Sequence, residues 1–222
     1  MIRKLLAVIM LLTFAAQASA GVVYQVSFDS AGSSLSTNSN LTVGGSQLFN
    51  VYFHEKFDGN GSFTPRIDLA GGTNGLTTAN FGVNRTSGST TDITGGNGNA
   101  SFDIAPPTVT FSASSATVEQ EALTGPVFAT SSAPDRRTVL LGAIQVTANS
   151  FGSTTFSLAD FLAGSDDFII DDGIGGLLFA ADGGITFGTL TITAVPEPSS
   201  LMLVGVVGFM AALRRRRATK LN

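Results

Sequence analysis

The chain has no cysteine, no tryptophan and a single histidine, His54, in 222 residues. The missing cysteines exclude disulfides, a thiol nucleophile and thiolate-bound zinc, and a domain of this length can bury an adequate core without such staples. The missing tryptophans remove the broad ring on which sugar substrates commonly stack. A lone histidine leaves one candidate base for a serine triad. Charge is sparse as well, at 13% of residues, and unevenly placed: between Gly21 and Val195 there are five Lys or Arg against fifteen Asp or Glu, a balance of 5 − 15 = −10. The other seven basic residues sit at the two ends. So acidic a body repels phosphate backbones and carries no basic stripe with interleaved aromatics, which argues against nucleic-acid binding.

What the chain does contain is 26 Gly, 17 Phe and many Ser and Thr, a composition suited to β structure with frequent turns. Its length fits one substantial domain flanked by processing segments. The N-terminus, MIRKLLAVIMLLTFAAQASA, has a basic start at Arg3 and Lys4, an apolar run from Leu5 to Ala16 and small residues at Ala18-Ser19-Ala20. That is the layout of a secretory signal peptide over residues 1–20, to be cut between Ala20 and Gly21 by signal peptidase after export.

The C-terminus, residues 195–222, has a separate organisation. Pro196 and Pro198 bracket Glu197 and keep the backbone out of helix and strand, open to an enzyme that binds extended peptide. Residues 199–213 carry no charge, and the thirteen from Leu201 to Leu213 make a helix of about 20 Å, marginal for a hydrocarbon core of about 30 Å. Arg214, Arg215, Arg216 and Arg217 follow directly, and such a block stays on the cytoplasmic side. With the body exported and the arginines inside, the orientation is self-consistent.

Tripeptide, short apolar helix, arginine block and position at the chain end together resemble the PEP-CTERM protein-sorting signal. The resemblance implies recognition by an exosortase, a membrane-embedded cysteine peptidase or transpeptidase. It also implies a transient membrane hold, then delivery to the cell surface or the extracellular polymer matrix. In that reading Pro196, Glu197 and Pro198 are recognised by another enzyme and catalyse nothing themselves.

The body, residues 21–194, shows short runs of alternating apolar residues between Gly, Asn and Ser. Strands are expected at Val22 to Phe28, Gln47 to Phe53, Thr108 to Ser112, Val139 to Ala148, Ser153 to Leu158, Phe168 to Ile170 and Gly184 to Ala194. This predicts an all-β fold, an antiparallel β-sandwich or barrel. Ala116 to Leu123 and Leu158 to Ala163 are expected to be single helical turns, and Gly71 to Asn99 a long connection, a pair of weak edge strands or a binding loop. The stretch LTVGGSQLFNVYF and the run from Leu140 to Gly173, LLGAIQVTANSFGSTTFSLADF followed by SDDFIIDDG, resemble the cohesin-like β-sandwich, which implies an antiparallel β-sandwich of cohesin-like or jelly-roll type and a protein partner; no dockerin segment is present in this chain.

Few residues offer chemistry. His54 is expected at the surface or a strand end, opposite in facing to Phe53. Carboxylate pairs for glycoside hydrolysis, Asp166 with Asp167, Asp171 with Asp172, and Glu119 with Glu121, fall in contexts that define no cleft. Asp166, Asp167, Asp171 and Asp172 could instead bind calcium, although the spacing lacks an EF-hand frame, as does the run from Asp58 to Leu69. No other cofactor is implied. Thr189, Thr191 and Thr193 share one strand face, but one row is ordinary strand composition, whereas an ice-binding surface needs a flat array on several strands. The expectation is a non-enzymatic surface or matrix protein, or else an extracellular binding module for polysaccharide or a protein partner.

Overall fold

The computed structural model describes residues 22–57, 65–104, 106–162, 167–171, 177–179, 184–197 and 209–210. Its strands are β1 (Val23–Ser27), β2 (Ser36–Thr42), β3 (Ser46–Lys56), β4 (Gly75–Ala79), β5 (Phe81–Ser87), β6 (Thr91–Gly98), β7 (Thr108–Phe111) and β8 (Ser115–Glu119). They continue with β9 (Ser131–Ala133), β10 (Arg136–Ala148), β11 (Gly152–Ala159), β12 (Phe168–Asp171), β13 (Leu177–Phe179), β14 (Ile185–Phe187) and β15 (Thr189–Val195). One sheet runs β14-β1-β3-β10-β6, with β9 also on β10; a second runs β2-β15-β11-β5-β8-β7; a small third runs β13-β12-β4.

Period-two alternation places one apolar row of each large sheet in a shared core. Val26, Val51, Phe53, Val139 and Ile144 from the first sheet pack with Val83, Val118, Phe156, Leu190 and Ile192 from the second, all fully buried. The third sheet joins this core through Phe168, whose ring stacks on Phe53 at 5.2 Å. On β10 the alternation changes parity. Val139 and Leu141 point inward, then Ile144, Val146 and Ala148, because a bulge between Leu140 and Gly142 inserts one residue. A side chain at Gly142 would lie 2.3 Å from the Asn97 carbonyl, so the bulge requires glycine.

The expected all-β architecture is present, with corrections. Two pairings are parallel, β1 with β14 and β2 with β15. The cause is a strand that changes sheet: Gly184 to Ala194 is divided at Gly188 into β14, on the first sheet, and β15, on the second. A β-carbon at Gly188 would lie 2.6 Å from the Leu35 carbonyl, so only glycine fits the crossing. The helical turn expected at Ala116 to Leu123 is instead β8 with its exit, and Leu158 and Ala159 end β11. Gly71 to Asn99 is no loose connection. It supplies β4, β5 and β6, with β5 between β11 and β8 and with Leu76, Phe81, Val83 and Ile93 buried. Of the expected tail helix only Phe209 and Met210 are described, and both are helical. The signal segment lies outside the described residues. Among the described residues no helix is long and apolar enough to cross a membrane.

Candidate functional site

β15 delivers the tail. Its outward Thr189, Thr191 and Thr193 alternate with buried Leu190, Ile192 and Ala194, and pairing ends where the Val195 carbonyl accepts the Val43 N–H at 2.9 Å. Proline offers no amide hydrogen, so Pro196 ends the ladder. Pro196 and Glu197 follow the strand directly and are exposed. Pro198, Arg214 to Arg217, Ala20 and Gly21 lie outside the described residues.

His54 is not at the surface. Its side chain does face away from Phe53, on the outer side of the first sheet, but the loop from Asp29 to Ser34 covers it and it is fully buried. Nε2 lies 3.1 Å from Ser27 Oγ and Nδ1 3.0 Å from Thr138 Oγ1. Gly32, at φ +59°, rests on the ring so closely that a β-carbon there would sit 2.8 Å from Nδ1. Loss of hydration drives the imidazole pKa down to about 4, against smaller opposing effects of the Asp29 carbonyl and carboxylate. The imidazole is therefore neutral at pH 7. Ser27, His54 and Thr138 resemble a triad only in outline. A hydroxyl stands where a carboxylate would orient the ring, and all three side chains are buried, leaving no position for a substrate. The group pins a loop.

Neighbouring Glu55, fully buried on the inner side, pins another segment. Its carboxylate accepts the Arg66 N–H at 2.8 and 3.0 Å and the Ile67 N–H at 3.0 Å. Burial raises its pKa, and those amides with Arg66 and Arg137 oppose the rise. Arg66 also donates to the Tyr24 hydroxyl at 3.3 Å.

The acidic pairs separate into different roles. Glu119 and Glu121 are exposed beside a shallow cleft of about 160 Å³ that includes Asn80, Ile104 and Thr108. Ligand pockets usually run to about 300 Å³ or more. Both glutamates are on the same wall, flanking buried Gln120, so they do not face each other across a bond. Asp167 is buried, and its Oδ2 accepts the Phe161 and Leu162 N–H groups at 2.9 Å, fastening the exit of β11. Asp171 is on β12; Asp166, Asp172 and the run 58–64 lie outside the described residues. Among the described residues no three His, Asp or Glu side chains converge as a metal site.

The Thr189, Thr191 and Thr193 row is one row of several. In register it meets Ser36, Asn38 and Asn40 of β2 on one side, and Ser157, Thr155 and Ser153 of β11 on the other. The array continues to Asn84 and Ser87 on β5, and Asn84 pairs with Ser115 on β8. Hydroxyls meet between strands, Thr155 with Thr191 at 3.2 Å and Thr189 with Ser36 at 3.3 Å. Across β2, β15, β11 and β5 this outer face of the second sheet is an uncharged hydroxyl and amide surface, and on β8 exposed Glu119 shares the face with Ser115 and Thr117. Sequence reasoning missed it because neighbouring rows come from distant segments whose register no local pattern states.

An all-β body followed by a proline-bracketed glutamate, an apolar run and arginines has the layout of a domain with a C-terminal sorting signal. Residues 194–217 match the model of the PEP-CTERM protein-sorting motif. The motif implies an exosortase substrate, exported and sorted to the cell surface. Solved structures similar to this chain are cohesin modules, the family whose strand motifs the body resembles. The seventh ScaB type I cohesin from Pseudobacteroides cellulosolvens is 13% identical, with 79% of this chain and 96% of that chain covered and a TM-score of 0.48. The non-cellulosomal cohesin from the archaeon Archaeoglobus fulgidus is 10% identical, covers 82% and 97%, and has a TM-score of 0.43. The cohesin module of a Clostridium perfringens family 33 glycoside hydrolase is 8% identical, covers 80% and 100%, and has a TM-score of 0.41. No curated protein matches the chain in sequence.

Proposed function

We propose that this is a non-enzymatic surface or extracellular-matrix protein. Its signal peptide is cut after Ala20, its β domain is exported, and its tail holds it in the membrane until an exosortase acts near Pro196-Glu197-Pro198. One observation carries the reading: the sorting motif at 194–217 begins within the last strand of the domain, so Pro196 and Glu197 emerge exposed directly after it with no intervening linker. The buried Ser27-His54-Thr138 group and the exposed, side-by-side Glu119 and Glu121 support a body without catalysis. Replacing Pro196, Glu197 and Pro198 by alanine should leave a longer, arginine-containing form in the membrane fraction of the native cell. Processing and release at the wild-type level would remove the motif's assigned role.

A second reading, compatible with the first, makes the body a binding module for a neutral polysaccharide. The observation favouring it is the hydroxyl and amide face of β2, β15, β11 and β5, uncharged across those four strands, which offers both donors and acceptors to a polymer rich in hydroxyls. Thr191→Arg places a long cation at the centre of that face. It should abolish retardation of the protein in native gels containing the cell's own matrix polysaccharide. Unchanged retardation would exclude this face as the binding surface.

A further inference from the structure

We propose that, while the tail is held, the end of the sandwich from which it leaves rests on the bilayer with Phe151 at the lipid interface. This rests on the sorting reading above. Three turns meet at that end: 43–45 between β2 and β3, 88–90 between β5 and β6, and 149–151 between β10 and β11. Hydrogen bonds join them to one another and to the exit strand. The Val43 N–H donates to the Val195 carbonyl at 2.9 Å, Gly44 to Ala148 at 2.7 Å, and Asn149 to Thr90 at 2.8 Å. Gly152, just after Phe151, pairs with Ala194, just before the tail.

The geometry of the tether sets the occupant. From Val195 to the first residue of the uncharged run at Ser199 only positions 196–198 intervene, which span about 10 Å at full extension. An anchored helix therefore keeps this end, and no other, next to the headgroups.

The chemistry of the end agrees. Phe151 is 73% exposed at the tip of its turn, and Val195 is 37% exposed beside it. β2, β11 and β15 carry no charged side chain, β3 none before Glu55 and β10 none after Arg137. Two further strands at this end, β5 and β6, bring Arg85 and Asp92, and these pair with each other at 2.9 Å. Lys56, Asp135, Arg136 and Arg137 lie at the opposite ends of the same strands. A domain whose sequence balance is −10 thus turns an end with an exposed aromatic, and with its one cation and one carboxylate paired, toward a surface of anionic headgroups. Exposed apolar rings favour such an interface, where one side is hydrocarbon and the other is wet.

The chain has no tryptophan, so a single introduced indole reports without background. Phe151→Trp in the chain from Gly21 to Asn222, without the apolar run from Leu5 to Ala16 that could anchor it by itself, would be incorporated into vesicles of phosphatidylethanolamine and phosphatidylglycerol with brominated acyl chains. Leu123→Trp, at a residue 71% exposed in a turn remote from the tail exit, would serve as the control. Flotation reports separately whether the tail holds the chain on the vesicles. The expected result is flotation of both variants, with a blue shift and bromine quenching at position 151 and neither at 123. Flotation with position 151 unquenched, or with both positions quenched, overturns the proposed orientation and leaves the tail reading standing. Failure to float removes the tail reading and this proposal with it.

Discussion

Lowering the pH should destabilise the domain through His54 by an amount that can be worked out. The free imidazole titrates near 6.5, whereas burial in the fold holds it near 4. Between those values the unfolded chain binds a proton that the folded chain refuses, so stability is fully present above pH 6.5 and falls as pH is lowered toward 4. About 2.5 pK units at 1.36 kcal/mol each give about 3 kcal/mol, a large share of a total of about 5–15. Other groups act in different ways. Asp29 is opposed by desolvation, but hydrogen bonds from the Ser33 hydroxyl and the Ala31, Ser34 and Ser33 amides hold it at about 2, so its contribution is lost below the His54 window. Glu55 works in the opposite sense: its raised pKa makes the fold gain relative stability as pH falls toward 4.5. The positive charges of Arg136 and Lys56 add to the depression at His54. Urea unfolding of the full chain in nonionic detergent, for wild type and His54→Gln, cancels what the two share. The wild type should lose about 3 kcal/mol more than His54→Gln between pH 7 and 4. Equal pH dependence in the two would refute a buried neutral imidazole.

The alternation on β15 gives a sharper local test: Leu190→Ala, in the core, should cost about 2–5 kcal/mol, and Thr191→Ala, on the outer face, no more than about 0.5 kcal/mol. Comparable losses in denaturant melts would mean that the strand's facing is wrong. Gly188→Val forces a side chain against the Leu35 carbonyl at the point where the strand changes sheet. It should cost about 1–3 kcal/mol by overpacking, and an unchanged melting temperature would contradict the tight crossing.

Strands with strong apolar alternation were legible in the sequence. VYQVS, SQLFNVYF and STTFSL carry their facing in the pattern, and β1, β3 and β11 lie where it places them. β5 and β6 were obscured because FGVNRTS and TDITGGNG bury only small or few apolar groups, and their place comes from pairing with β11, β8 and β10. ATVEQE reads equally well as a helical turn, and only partners on both sides make Ser115–Glu119 a strand. For His54 the alternation was right about direction. The burial was not legible, since it comes from a loop more than twenty positions away that folds over the ring. The tail was the most legible feature of all, because its recognition elements are contiguous and need no tertiary context.

The intact mass of the mature protein from its native cell tests the central claim most directly. The account predicts a chain that begins at Gly21 and lacks Arg214 to Arg217, with both ends removed. A mass equal to the full 222 residues, arginines included, would contradict it.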